Sequence, residues 1–358
     1  MLCNETLKII DSLKKYKINI CPKICSNNYF MNLYKNIKTI LQKIEIKINN
    51  INITILNENV DVYFKNNEFT SENIKEYILN NLKYGYKLEY ENNTIIYYTK
   101  NKLLPKIIIH IFKIIKLLKI LFNRTNYKQK IIYFETNKKK KFPNKNAILG
   151  PNEINSGLTF LANGDIILYR KEELLKVLIH ELIHSNLIDE KIIFSKYNKD
   201  FSNLFCVNYK ILLNEAFTES FATIINLFYI HIINNFKINM LNTMFELEMK
   251  YSNQMCLKIL NYYNIQNIED IIKNNNICKN IFPQNTNVFS YYFLKNILLI
   301  NHIQFSNILE IHTIDYKIVD ENGIYKIINL IMQNINILNN KYILPNNSLR
   351  LCLYEIKN

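Results

Sequence analysis

Lys171 to Glu190 reads KEELLKVLIHELIHSNLIDE, and the way this stretch folds decides how the rest of the chain is read. Leu174, Leu175, Val177, Leu178, Leu182 and Ile183 recur at helical spacing, and Glu172 and Glu173 stand where the positive end of a helix dipole favours acids. The spacing predicts one amphipathic helix over 171–190. On that helix His180 and His184 lie one turn apart on the same face, so both imidazoles can converge on one ion, with Glu181 beside the first. This is the H-E-x-x-H spacing that binds zinc. In a chain with 6 His and 30 Asp plus Glu among 358 residues it arises by accident at most about 0.008 times, so chance is a poor explanation. The plainer alternative, two histidines lining a core helix, turns on whether a third ligand can be found.

Catalytic zinc takes three protein ligands and keeps a fourth position open. Leu212 to Tyr229, LLNEAFTESFATIINLFY, is a second helical pattern, with Phe217, Phe221, Ile224, Ile225 and Phe228 apolar. Glu215 and Glu219 sit one turn apart on it. Acids on an apolar helix are costly to bury unless a metal or a hydrogen-bond donor receives them; the competing reading is an exposed acidic edge. Just upstream of the first helix, Ile154 to Phe160 and Asp165 to Arg170 read as two strands, and Asn163-Gly164 supplies the positive φ angles of a tight hairpin.

Asn214-Glu215-Ala216, with an acid at Glu219, resembles the N-E-A-x-x-x-D/E glutamate helix of the thermolysin-like zinc peptidases, the gluzincins. The resemblance implies an α+β, zincin-like fold: a mixed N-terminal lobe with a small twisted sheet and the active-site helix, and a mainly helical C-terminal lobe. It implies one zinc held by His180, His184 and Glu215, Glu219 supporting a ligand histidine from the outer shell, and Glu181 as general base. It also implies that the hairpin's edge strand, Asn155, Ser156, Gly157, Leu158 and Thr159, pairs with an extended peptide by β-augmentation. An oxyanion donor is expected from the C-terminal lobe: Tyr291 or Tyr292 in VFSYY, with His302 as the alternative and a tyrosine packed in the core as the plain reading.

The separation of His184 from Glu215 is longer than in thermolysin, and an inserted loop over 192–210 accounts for it, since loop closure costs rise slowly with length. Ile131 to Leu298 is also similar to uncharacterised metallopeptidase-like proteins of large DNA viruses with AT-rich genomes. Clostridial neurotoxin light chains share the string H-E-L-I-H and a distant glutamate but lack N-E-A-x-x-x-E.

Three regions are expected: 1–100 as an accessory α/β region, 101–190 as the peptidase N-lobe, and 191–358 as the helical C-lobe. In the first, helices are predicted over 1–17, 31–43 and 71–83, with hairpins at 44–48/51–55 and 86–91/94–99. Lys106 to Phe122, KIIIHIFKIIKLLKILF, carries too many lysines to span a membrane. Its basic face suits peripheral contact with an anionic membrane, but packing as a core helix is the preferred reading. Lys138 to Lys141 reads as a solvated loop.

The Asn-, Ile-, Lys- and Tyr-rich composition follows AT-rich codons, so the net charge of +15 is weak grounds for a nucleic-acid partner, and none is expected. Seven cysteines show no disulfide framework, and no signal peptide or transmembrane segment is read, which together suggest an intracellular setting, in the producing or host cell or a virion. The function expected is hydrolysis of peptide bonds. The competing class is a non-catalytic interaction protein on the same scaffold, binding a membrane or a macromolecular assembly through its basic surface; an intact Glu181 argues against it.

Overall fold

The computed structural model describes residues 1–358 apart from 15–23, 57–59, 61–69, 145–146, 161–162, 190, 267, 273–280, 338–343, 345 and 358. The chain opens with α1 (Asn4–Leu13) and α2 (Asn28–Lys43), then β1 (Asn52–Leu56), α3 (Glu72–Asn81), β2 (Tyr84–Tyr90), β3 (Asn93–Thr99) and α4 (Ile107–Leu121). Next come β4 (Gln129–Phe134), the single turn α5 (Pro151–Ile154), β5 (Gly157–Thr159), β6 (Ile166–Leu168), α6 (Leu174–Ser185) and α7 (Lys191–Ser202). The remainder is helical: α8 (Leu213–Ile233), α9 (Met240–Tyr262), a π-helical turn Phe289–Leu294 running into α10 (Lys295–Ile300), α11 (His302–His312) and α12 (Glu321–Gln333). A small hairpin, β7 (Thr313–Ile314) with β8 (Lys317–Ile318), separates the last two. The fold is mixed α/β.

Six strands form one sheet in the order β1-β2-β3-β4-β6-β5. β1, β2 and β3 are antiparallel neighbours, β3, β4 and β6 run parallel, and β5 lies antiparallel to β6 at the edge. Parallel neighbours need a crossover, and α4 supplies the one between β3 and β4. Side chains alternate across the sheet, so Leu88, Ile95, Tyr97, Ile131, Tyr133, Ile166 and Leu168 face the main core while Ile96, Tyr98, Ile132, Phe134, Ile167 and Tyr169 meet Ile74, Ile78 and Leu82 around α3. Aromatic stacking ties neighbouring strands, with Tyr97 on Tyr133 and Tyr98 on Phe134, each at 5.4 Å.

Several expectations change. Residues 44–48 do not pair with 51–55; β1 pairs with β2 instead. An Ile-x-Ile alternation reads the same whether its partner is the next segment or a later one, so spacing could not choose between them. The hairpin at 86–91/94–99 forms as β2 and β3. Because β3 is hydrogen-bonded to β4, the sheet runs unbroken across the boundary expected at residue 100. Only Asn4–Leu13 of the first expected helix is helical among described residues, and 15–17 lie outside them.

Helix α4 packs on α2 and α6 with its isoleucines and leucines buried except Ile109, which is half-buried, and Ile120, which is exposed. Its Lys119 is buried too, its ammonium donating to Asn92, Asn93 and the Tyr127 carbonyl, so the expected core packing is what forms. Of the helices among the described residues, α8 alone is long and apolar enough to cross a bilayer, and 89% of that apolar window is buried within the fold. Cys206 is disulfide-bonded, and Cys3, Cys25, Cys256 and Cys352 are free.

Candidate metal centre

Helix α6 is shorter than the sequence suggested, and both of its ends are informative. Glu173 adopts a left-handed conformation (φ 59°) just before the helix, so Glu172 and Glu173 turn away from the first turn into the protein. At the other end Leu187 is left-handed (φ 56°), and its neighbours bond back as Asn186 N–H to Leu182 C=O and Ile188 N–H to Ile183 C=O. This is the closing pattern of a helix, here without the usual glycine. It reverses the chain after His184 and brings Asp189 back against that residue.

Three donor atoms converge where α6 meets α8. His180 Nε2 and His184 Nε2 are 3.0 Å apart, and Glu215 Oε2 lies 3.4 Å from the first and 3.3 Å from the second. Ligand atoms about 2.05 Å from a tetrahedral ion stand about 3.3 Å from one another, so the triangle has the size of one face of such a site. Two imidazole nitrogens and a carboxylate are also the chemistry expected of it. The buried group His180, His184 and Glu215 can therefore hold a metal ion.

Each histidine has a carboxylate behind it. His184 Nδ1 meets Asp189 Oδ2 at 2.8 Å, and Asn214 Nδ2 donates to the same oxygen at 3.2 Å. His180 Nδ1 lies 2.9 Å from Glu219 Oε2, off the straight line of a ring N–H bond, while Lys176 Nζ donates to Glu219 Oε1 at 2.6 Å. A carboxylate at Nδ1 fixes the tautomer that leaves the Nε2 lone pair facing the ion. Burial alone would push the Glu215 carboxyl up, yet the two histidines outweigh it and hold it well below the usual range. Burial likewise opposes charge on Glu219, but Lys176 and His180 bring it down to about 2. The same partners raise both histidines against the lowering effect of burial, His184 through Asp189 and Glu215 and His180 through Glu215 and Glu219.

The group opens into a cleft of about 510 Å³ whose walls include β5, α6, the 285–287 segment and Tyr209. Glu181 lies in it with one oxygen, Oε2, accepting from Thr159 Oγ1 at 2.7 Å; the same hydroxyl is 3.0 Å from the Glu181 carbonyl. The β5 register decides which main-chain groups are exposed there. Tyr169 N–H bonds to Ser156 C=O and Phe160 N–H to Asp165 C=O, so Ser156, Leu158 and Phe160 face β6, whereas the N–H and C=O of Gly157 and Thr159 point to the open edge. Gly157 cannot carry a side chain without displacing its surroundings, because an added Cβ would come within 2.8 Å of Leu168 and 3.0 Å of the Ile167 carbonyl. The loop closing this hairpin is wider than two residues: only Gly164 (φ 70°) is left-handed, Asn163 is not, and 161–162 lie outside the described residues.

Asn155, Ser156, Gly157, Leu158 and Thr159 all line the cleft, with His180, Glu181, His184, Glu215, Glu219 and Tyr291. Tyr291, on the π-helical turn, donates to Glu215 Oε2 at 3.3 Å and stands edge-on to His180 with ring centres 5.8 Å apart. Adjacent residues on a helix point in different directions, so Tyr292 faces the core and donates to the Leu349 carbonyl at 2.5 Å. His302 is on α11, outside the cleft, packed on Phe245 at 4.9 Å. Neither of these two is part of the centre. Sequence reasoning missed Asp189, Lys176, Tyr209 and Leu351, which reaches the cleft from the far end of the chain. Only Lys176 carried a signal, as a cation on the buried side of α6 one turn before His180.

No protein-family model and no solved structure matches this chain. It is similar to an uncharacterised protein of Acanthamoeba polyphaga mimivirus, 28% identical over 153 residues, which cover 41% of this chain and 38% of that protein. The likeness to a viral protein agrees with expectation and says nothing of activity. The match spans well under two thirds of the relative's own length.

Proposed function

We propose that this chain is a zinc-dependent peptidase of the gluzincin type, with a zincin-like arrangement of sheet, active-site helix and glutamate helix. The observation that carries the reading is the triangle of His180, His184 and Glu215 donor atoms lying in one cleft with Glu181 and with the open edge of β5. A zinc ion held there would supply Lewis acidity and a water acidic enough to give up a proton near neutral pH.

The protein's own residues would do the rest. Gly157 and Thr159 offer N–H and C=O groups to an extended substrate backbone, which orients the scissile bond across the centre. Glu181 takes the proton from the attacking water on its carboxylate, with Thr159 fixing the other oxygen, and returns it to the departing amine nitrogen as the C–N bond breaks. Asp189 and Glu219 hold the imidazoles in register. The Tyr291 hydroxyl, 3.3 Å from Glu215, is the donor placed to meet negative charge on the attacked carbonyl oxygen.

The test is cleavage of an unstructured peptide library by the zinc-loaded protein. Wild type should cut it, and Glu181→Gln should keep its zinc while losing about 10²–10⁴-fold in rate. Loaded wild type that cleaves no peptide, or Glu181→Gln that cleaves as fast, would overturn the proposal.

A further inference from the structure

Four carboxylates, from Glu181, Asp189, Glu215 and Glu219, crowd the centre, each buried. Asp189 is met by a neutral amide and a histidine, Glu215 by Tyr291 and the two histidines, and Glu181 by a hydroxyl. Lys176 is the only lysine or arginine hydrogen-bonded to any of them among the described residues, and its side chain is itself 2% exposed. It sits on α6 one turn before His180, with Glu219 as its ion-pair partner.

We infer that Lys176 is a positioning residue of the metal centre: its ammonium, 2.6 Å from Glu219 Oε1, holds that carboxylate in place, and through Glu219 Oε2, 2.9 Å from His180 Nδ1, it fixes the His180 ring with Nε2 toward the ion. The inference rests on the metal-site reading and deepens it. Without the ammonium, Glu219 Oε1 would be left buried without its donor, and a buried carboxylate oxygen without a partner swings toward one. That movement takes Glu219 Oε2 away from His180 Nδ1. The tautomer with a free Nε2 lone pair then loses its advantage, so a residue that touches neither ion nor substrate controls how tightly the ion is held. A purely structural role makes a different forecast: loss of Lys176 would lower folding stability and leave affinity for the ion unchanged.

Zinc affinity of the full chain, measured by competition with a chromophoric chelator, separates these. Wild type must bind zinc first; if it does not, the metal-site reading fails, and the inference with it. Given binding, Lys176→Met should weaken it by about 10–100-fold, the usual cost of losing an outer-shell partner. Lys176→Arg, which keeps the charge, should recover most of that loss. In a Glu219→Gln background, Lys176→Met should add nothing further, because the two act through one path. Lys258→Met provides the control, as it removes another buried lysine, bonded to Asn346 and the Ser348 carbonyl; it should lower the melting temperature without changing zinc affinity. Should Lys176→Met not fold, Lys176→Gln takes its place with the same expectation. Wild-type affinity in the neutral variant, or a loss that adds fully to that of Glu219→Gln, overturns the inference.

Discussion

Helix α6 starts in one buried charge cluster and ends in another, and the two are built to opposite plans. At its start, Glu172, Glu173, Glu248 and Glu355 face Lys140, Lys295 and Arg350 around the C-terminal segment 348–356. These side chains hold part of the segment's backbone, beside Thr6, Asn226, Tyr251 and Tyr292 and main-chain bonds to Lys140 and Cys3. Glu173 accepts from Leu351 and Cys352 N–H, Glu248 from Leu353 N–H, and Lys295 and Lys258 donate to the Leu351 and Ser348 carbonyls. At its far end, four carboxylates and two histidines share one bonded lysine, and three donor atoms point at a common centre. In the first cluster the acids meet cations and main-chain N–H groups of the protein itself, and they serve to hold chain. The second has more buried carboxylates than bonded lysines, with two histidines among them, an arrangement that a bound cation would complete. Balance, more than burial, separates a structural cluster from a candidate site.

The contrast can be broken by removing one acid from each end. Glu173→Ala would strand Lys140, whose ammonium lies 2.9 Å from Glu173 at 1% exposure, and should cost about 3–5 kcal/mol in denaturant melts of the metal-free protein. A loss under 1 kcal/mol would mean that the strap is held by packing alone. A second strap acid tests the same region by pH. Burial, only partly offset by Lys295 and the Leu353 N–H, pushes Glu248 up to about 7 from 4.5. A raised value means that the stabilisation belongs to the neutral form, so it is complete below pH 4.5 and lost as pH rises through about 7. Wild type should therefore lose up to about 3 kcal/mol relative to Glu248→Gln between pH 4.5 and 8, and parallel profiles for the two would refute this. At the other end, Asp189→Ala should leave metal-free stability nearly unchanged, since it relieves surplus negative charge, while zinc affinity falls about 10–100-fold. The reverse pattern would erase the distinction between the clusters.

Much of the centre was legible because its signals are local. His180, Glu181 and His184 lie within one turn of helix, Glu215 and Glu219 within another, and the β5–β6 hairpin carries its own alternation and turn residues. What stayed hidden is what folding brings together from a distance. Asp189 reaches His184 only because Leu187 takes a left-handed conformation that leucine does not advertise. Leu351 reaches the cleft because scattered side-chain bonds and the isolated bridges Lys141–Ser348 and Leu2–Ile356 dock the C-terminal segment, and such contacts leave no periodicity to read. Tyr291 and Tyr292 could not be told apart in a chain of 25 tyrosines until the π-helical turn gave each a direction. Glu172 and Glu173 looked like ordinary first-turn acids; Glu173 proved to anchor the C-terminal segment and Glu172 to accept from the Lys140 N–H.

The central claim is that the surplus at the end of α6 exists to hold a metal ion. Its most direct test is calorimetric zinc titration of metal-stripped wild type beside Glu215→Ala, with elemental analysis of both. One tightly bound zinc per chain is expected in wild type, and its loss in Glu215→Ala, which removes one corner of the triangle. No uptake by folded wild type, or equal uptake by Glu215→Ala, would contradict it.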